Sequence, residues 1–198
     1  MWVSANMVIT TVALGAIAIP IFGLGFWDSI AVILLFNILG VLPVAFFSTL
    51  DPRLGLRQMT ISRYAFGWHG AKVMAIFNVT ACIGWSAVNI IVGSEIITAL
   101  SDGVVPVWAS ILGIAALTTL VSVYGYRYVH QYERYAWIPM AAIFVILAVI
   151  SSGDMRIVPT PAWNIAQIAS LMSFGGAIFG FSAAWSSYAS DYTIGHQQ

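Results

Sequence analysis

Six long apolar stretches, almost free of charge, constrain this chain more than any other feature. They lie at about 3–22, 27–49, 71–100, 104–124, 135–152 and 165–190. A helix needs roughly 20 apolar residues to cross the hydrocarbon core of a bilayer. Only 7% of the 198 residues are charged, whereas soluble domains carry about a quarter. The sequence therefore predicts an all-α integral membrane protein, with residues 1–198 forming a single transmembrane region of six spans.

The positions of the basic residues predict the orientation of these spans. Six of the seven fall in the loops after spans two and four, and only Arg156 follows span five. The six are Arg53, Arg57, Arg63, Lys72, Arg127 and Arg134. Because loops rich in Lys and Arg stay in the cytoplasm, both loops and the N-terminus are expected there. Residues 59–70 are typical of an interfacial anchor with an aromatic belt, and a moving cytoplasmic gate is the alternative.

The composition argues against an enzyme. An intramembrane hydrolase needs a nucleophile paired with a base inside the spans, but His69, His130 and His196 all lie outside the span cores. The single cysteine, Cys82, excludes an internal disulfide and a cysteine metal site. A net charge of zero gives no argument for nucleic acid. No cofactor and no metal is indicated.

Trp85 and Asn89 form the most unusual pair inside a span. They are four residues apart, so they share one face of a helix. An amide has donors and acceptors that lipid cannot satisfy, so Asn89 must face protein, water or a ligand. The sequence thus predicts a site at this stripe of span three.

The first and sixth spans contain residues that permit a break in the helix. Span one has Gly15 and Pro20, and span six has Gly175, Gly176 and Gly180 among serines. Many transporters are built from two inverted five-span repeats, each with a broken first helix at the substrate site. Spans one and six fit that placement. For the glycines of span six, a small-residue packing face is the alternative.

Two acidic residues lie near the ends of spans. Glu95 is toward the outer end of span three, and Asp191 is toward the inner end of span six. Either could carry a proton, and the alternative for each is an interfacial acid that reaches water.

Four motifs, in order along nearly the whole chain, resemble the nucleobase–cation symporters, specifically the fungal-type purine–cytosine permeases. They are Trp2–Asn6, the loop Pro52–Met59 with the following 62–67, Gly84–Asn89 and Trp185–Tyr192. Two positions depart from that family's pattern. Glu95 stands where a neutral glutamine is expected, and Asp51 stands where relatives often have glycine.

The resemblance implies a twelve-span, LeuT-like transporter with a five-plus-five inverted repeat. This chain would hold the first repeat and the first helix of the second. Such proteins import cytosine and purines (adenine, guanine, hypoxanthine) with a proton, by alternating access, and the plasma membrane is the expected location. By motif, Trp85 and Trp185 would hold the base between their rings, and Asn89 would bond its polar edge. Thr11 would supply the span-one hydroxyl, with Thr10 as the neighbouring alternative.

Two other interpretations stay open. The chain ends just after span six, so we expect a fragment of a twelve-span protein. It could instead be a truncated, non-transporting half that associates with a full-length relative or with the missing C-terminal half. Alternatively, the same fold could import uracil, allantoin or a vitamin.

Overall fold

The computed structural model describes residues 6–50, 54–123, 126–153 and 156–192. Within these ranges every regular element is helical. Six α-helices are followed by two 3-10 turns: α1 (Ile9–Ala16), α2 (Phe26–Ser48), α3 (Gln58–Leu100), α4 (Val107–Val123), α5 (Tyr126–Ser151), α6 (Ile165–Ala183), and the turns Ala184–Ser187 and Ser190–Tyr192.

Among the described residues, four helical segments are long and apolar enough to cross a membrane. They are Phe26–Ser48, Gln58–Leu100, Arg134–Ser151 and Ile165–Ser187. Helix α4 is also apolar but has only 17 residues.

Helix α1 is shorter than the first apolar stretch, which the sequence places at about 3–22. It ends at Ala16, and residues 17–22 form turns. Pro20 explains this end, because a proline has no N–H and its ring clashes with the carbonyl four residues earlier, which here belongs to Ala16.

Helix α3 contains both the segment 59–70 and the third apolar stretch. Gly67 interrupts it with φ 68° and ψ −177°, so two helical segments meet at a kink. A side chain at this φ would be strained, which explains the glycine.

The break in the sixth span comes later than the sequence predicts. Helix α6 continues through Gly175, Gly176 and Gly180 and ends at Ala183, where the chain tightens into a 3-10 turn. The Ser186 hydroxyl donates to the carbonyl of Ala183, three residues back. The Ser187 hydroxyl shares its one hydrogen between the Ala184 carbonyl, also three residues back, and the Asn78 Oδ1. Such local bonds compete with regular α-helix.

The structure divides into two compact units. The first comprises Met1–Leu14 and Gly84–Arg156, and the second comprises Gly15–Ile83 and Ile157–Gln198. The division between the two units falls within α1, within α3 and after Arg156.

The core of the second unit lies where α2 packs against α6. Phe174 and Ile178 of α6 and Val32 and Val44 of α2 are buried there. The approach is close because Gly40 lies against α6, where a Cβ would come within 2.6 Å of the Ser182 Cβ.

The three glycines of α6 differ in how closely they approach α2. A Cβ at Gly175 would come within 2.5 Å of the Phe36 ring. At Gly176 or Gly180 an added Cβ would meet no atom of the described structure within 4 Å. In the described structure Gly175 therefore packs closely against α2, whereas a Cβ at Gly176 or Gly180 would face open space.

Candidate functional site

In the first unit, Asn89 of α3 contacts Thr10 of α1. The Thr10 hydroxyl donates to the Asn89 Oδ1 at 2.7 Å, and the Asn89 Nδ2 donates to the Trp85 backbone carbonyl at 2.9 Å. An amide has two N–H groups and two acceptor lone pairs. Among the contacts of the described residues, Asn89 therefore keeps one N–H and one lone pair for a ligand.

A cavity of about 380 Å³ opens beside this contact. Small-molecule sites typically have volumes of roughly 300–1,000 Å³. Thr10 and Asn89 supply its polar side chains together with Tyr132. The rest of the lining is mainly apolar: Met7, Val8, Ile9, Val92, Gly93, Ile96, Ala136 and Met140. This combination can hold a flat, partly polar molecule.

Thr11, which the resemblance places in the site, does not line this cavity. Its hydroxyl donates to the Val8 carbonyl at 2.6 Å, within its own helical turn. Thr10 was the neighbouring alternative, and it is the threonine that the structure places on Asn89. The two residues face different directions because neighbours on a helix point about 100° apart.

Trp85 lies one helical turn before Asn89 and is half-buried. The Asn89 side chain donates to the Trp85 backbone carbonyl, so Trp85 and Asn89 are linked by a hydrogen bond that does not involve the indole. The indole itself is not part of the cavity lining.

Trp185 belongs to the second unit, in the 3-10 turn Ala184–Ser187. Its ring packs edge-on against Tyr188, with centroids 5.1 Å apart and an interplanar angle of 69°. The turn is tied to α3 because the Ser187 hydroxyl donates to the Asn78 Oδ1 at 2.6 Å. The segment that carries Trp185 is thus held by the contact of its ring with Tyr188 and by the bond from Ser187 to α3.

A second tie joins the end of this segment to the start of α3. The Ser190 hydroxyl donates to the Gln58 Oε1 at 2.7 Å, and the Gln58 backbone N–H donates to the Asp191 Oδ1 at 2.9 Å. Gln58 is 5% exposed and Ser190 is fully buried. Asp191 therefore stabilises the N-terminus of α3, where backbone N–H groups lack helical partners and a negative charge is favourable.

Of the residues that line the cavity, sequence reasoning named only Asn89 and Thr10 and missed the others, including Met7, Tyr132 and Met140. Met7 and Met140 read as ordinary apolar span residues, and Tyr132 as one of several interfacial tyrosines. A signal was present, since Tyr132, Ala136 and Met140 recur at every fourth position and so share one face of α5. Such a stripe is far more often packing than a site, and the sequence alone does not separate the two.

Among the described residues, the lining of the cavity contains no Asp and no Glu. Glu95 is exposed and absent from its lining. In the described part of the chain, no three residues of the metal-binding types lie together.

Comparison with known proteins identifies the family. Residues 1–194 match the family model described as "Permease for cytosine/purines, uracil, thiamine, allantoin". A purine-cytosine permease of Emericella nidulans is 43% identical over 196 residues, and one of Saccharomyces cerevisiae is 44% identical over 201 residues. A vitamin B6 transporter of Saccharomyces cerevisiae is 31% identical over 199 residues.

Each alignment covers 98% of this chain but a smaller share of the relative. The chain spans 38%, 37% and 34% of the length of these three proteins, respectively. No solved structure matches the chain significantly. The family match confirms the resemblance carried by the four motifs. This integral membrane protein belongs to the family of permeases for cytosine/purines, uracil, thiamine and allantoin.

Proposed function

We propose that this chain supplies the span-one and span-three part of a nucleobase site in a proton-coupled symporter of cytosine and purines. The observation that carries the proposal is the contact of Thr10 with Asn89 beside a cavity of about 380 Å³. Together with the bond to the Trp85 carbonyl, this contact leaves the Asn89 amide one N–H and one oxygen lone pair for a ligand. The similar purine-cytosine permeases of two fungi support the choice of substrate.

The chemistry of a nucleobase fits these groups. A base has a flat π face and an edge of alternating donors and acceptors. An amide can pair with an amino group and a ring nitrogen together, as Asn does with adenine in DNA. Stacking on an aromatic ring contributes about 1–3 kcal/mol per base, which is the role that the family resemblance implies for Trp85 and Trp185.

The proposed architecture is the five-plus-five inverted repeat, with this chain forming the first repeat and the first helix of the second. The base would bind near the bilayer midplane, and one helix bundle would rock against the other. The N-terminus and the loops after spans two and four lie in the cytoplasm in this arrangement. The plasma membrane is the proposed location, and Glu95 and Asp191 are the candidates for carrying the proton.

Two further candidate functions stay open. The first is association of this chain with a full-length relative. The vitamin B6 transporter, at 31% identity, suits the same fold with another substrate.

A chimera separates these candidates. Residues 1–198 replace the aligned part of the Saccharomyces cerevisiae purine-cytosine permease, in cells that lack their own cytosine uptake. We expect saturable uptake of radiolabelled cytosine, competed by adenine and hypoxanthine. Competition by pyridoxine but not by cytosine would favour the vitamin. No uptake by a chimera that reaches the cell surface, together with co-purification of the chain and a full-length permease, would favour association.

Asn89→Ala within the chimera tests the site itself. We expect cytosine affinity to fall at least tenfold, because about 1.4 kcal/mol of hydrogen bonding corresponds to a factor of ten. Ser86→Ala, three residues earlier on the same helix, is the matched control and should keep normal uptake. Unchanged affinity in the Asn89→Ala chimera, at equal surface expression, would contradict the proposed role.

A further inference from the structure

Two cationic side chains converge on one indole ring near the kink in α3. The Arg63 Cζ lies 4.2 Å from the centroid of the Trp68 ring, and the Lys72 Nζ lies 5.0 Å from it. All three side chains are exposed. We call Arg63, Trp68 and Lys72 the kink cluster.

The kink is what assembles this cluster. Trp68 and Lys72 are four residues apart and meet on any helix, but Arg63 and Trp68 are five apart. On a continuous helix, side chains meet at spacings of three and four. Gly67, with φ 68°, breaks the helix between them. The position of Arg63 over the ring thus depends on a backbone conformation that glycine adopts readily.

The cluster carries positive charge without an acidic neighbour in sequence. Residues 54–94 contain no Asp and no Glu. Asp191, which the fold brings to Gln58 at the start of α3, is already engaged by the Gln58 N–H. Two cations held near one ring repel each other, and an anion placed between their free N–H groups would relieve that repulsion.

We propose that the kink cluster binds the phosphate group of an anionic phospholipid. Arg presents a planar set of N–H donors that suits phosphate, and Lys adds a point charge. Trp is favoured at the level of lipid headgroups. The exposed aromatic side chains of Tyr64 and Phe66 provide apolar surface next to the phosphate.

The membrane-spanning part of α3 places this site at a lipid surface. The kink at Gly67 directly precedes the apolar stretch at about 71–100, so the cluster lies where that stretch meets the headgroups. In the orientation proposed above, this is the cytoplasmic leaflet, which carries the anionic lipids of the membrane.

Lipid binding to the purified chain tests this directly, without any transport assay. Native mass spectrometry in detergent would follow titration with phosphatidylserine and, separately, with phosphatidylcholine. Both lipids carry a phosphate, but the quaternary ammonium of phosphatidylcholine neutralises its headgroup and would be repelled by Arg63 and Lys72. Phosphatidylserine keeps a net negative charge, so we expect it to bind at least fivefold more tightly. The double variant Arg63→Gln/Lys72→Gln should reduce that preference to less than twofold, and equal preference in this variant would overturn the proposal.

Two further variants distinguish binding at the kink cluster from a nonspecific attraction of the lipid to positive charge. Gly67→Ala keeps every charge, and its Cβ would meet no atom of the described structure within 4 Å, so it acts only through the backbone. It should lose most of the preference. Arg134→Gln removes one charge from the N-terminal part of α5 and should keep the preference. If Arg134→Gln weakens binding as much as Arg63→Gln alone, or Gly67→Ala binds like wild type, the kink cluster is not the site.

Inorganic phosphate distinguishes a lipid site from a site for soluble anions. We expect millimolar phosphate to leave the bound phosphatidylserine in place, because the acyl chains add binding to the apolar surface. Displacement at phosphate concentrations equal to that of the lipid would overturn the assignment to a lipid. Circular dichroism of each variant should show the helix content of the wild type.

Discussion

The Thr10 hydroxyl donates to the Asn89 Oδ1 at 2.7 Å, and this one contact fixes which way the Asn89 amide points. The carbonyl side of the amide faces α1, and the Nδ2 side bonds the Trp85 carbonyl of its own helix. A ligand therefore meets an amide whose donor and acceptor are already oriented. Preorganised groups cost less entropy on binding than free ones.

Replacing this hydroxyl should weaken base binding. Thr10→Val keeps the shape of the side chain but removes the donor to Asn89. A neutral hydrogen bond contributes about 0.5–1.5 kcal/mol, so we expect the cytosine inhibition constant of the chimera to rise roughly 2- to 10-fold. Thr11→Val is the matched control. Its hydroxyl bonds only the Val8 carbonyl among the contacts described, and its constant should change less than twofold. A larger effect at Thr11 would reverse the assignment.

Trp85 should act as a stacking surface rather than as packing. Trp85→Phe keeps an aromatic face and should lower cytosine affinity less than Trp85→Ala. Loss of a stacking ring costs about 1–3 kcal/mol, so Trp85→Ala should reduce affinity by roughly 5-fold or more. Competition binding with radiolabelled cytosine in chimera-containing membranes gives both constants. Equal losses in the two variants would show that the indole serves packing.

The close approach of α2 to α6 predicts opposite effects for two glycines. Gly40→Ala should destabilise the chain by about 1–3 kcal/mol. Its Cβ would meet the Phe179 carbonyl oxygen at 3.1 Å and the Ala183 backbone nitrogen at 3.2 Å, and backbone atoms cannot rotate away.

Gly176→Ala is the matched substitution in α6. It meets open space, and alanine favours helix by about 1 kcal/mol over glycine. Thermal unfolding in detergent, followed by circular dichroism, should show a lower melting temperature for Gly40→Ala and an unchanged or higher one for Gly176→Ala. The reverse order would contradict this packing.

The Asp191 carboxylate should stabilise the start of α3. Asp191→Ala removes the acceptor for the Gln58 N–H, and loss of a helix cap costs about 0.5–2 kcal/mol. Asp191→Asn keeps a neutral acceptor and should cost less. Melting temperatures of the purified chain would give the order wild type, Asp191→Asn, Asp191→Ala. Equal melting temperatures for wild type and Asp191→Ala would show that the contact adds no stability.

Sequence reasoning identified the helical class from the lengths of the apolar stretches and the family from four motifs along the chain. The role of the Trp85–Asn89 stripe stays a prediction. Apolar length predicts helices, and a spacing of four predicts a shared face. The choice between Thr10 and Thr11 is different, since it depends on the rotation of α1 against α3. Both threonines carry the same hydroxyl, and only the fold decides which one reaches Asn89.

The end of helix α6 shows a second limit. Glycines permit a break, but α6 stays regular where Gly175 fits under the Phe36 ring. The change to a 3-10 turn occurs at Ala184 instead, where the serines bond carbonyls three residues back. The sequence shows glycines that permit a break in the helix. It does not show that α2 packs against those residues and keeps the helix regular.

The bond between Gln58 and Asp191 has a consequence for synthesis of the protein. Helix α6 has its own cap, since the Asn164 Oδ1 accepts the Gln167 N–H three residues later. Helix α3 instead receives its Asp191 acceptor from a residue 133 positions further along the chain. At about 5–20 residues per second, the ribosome needs roughly 7–27 seconds to reach Asp191 after Gln58. During that interval the nascent α3 lacks this partner, and its first turn gains it only after α6 has been synthesised.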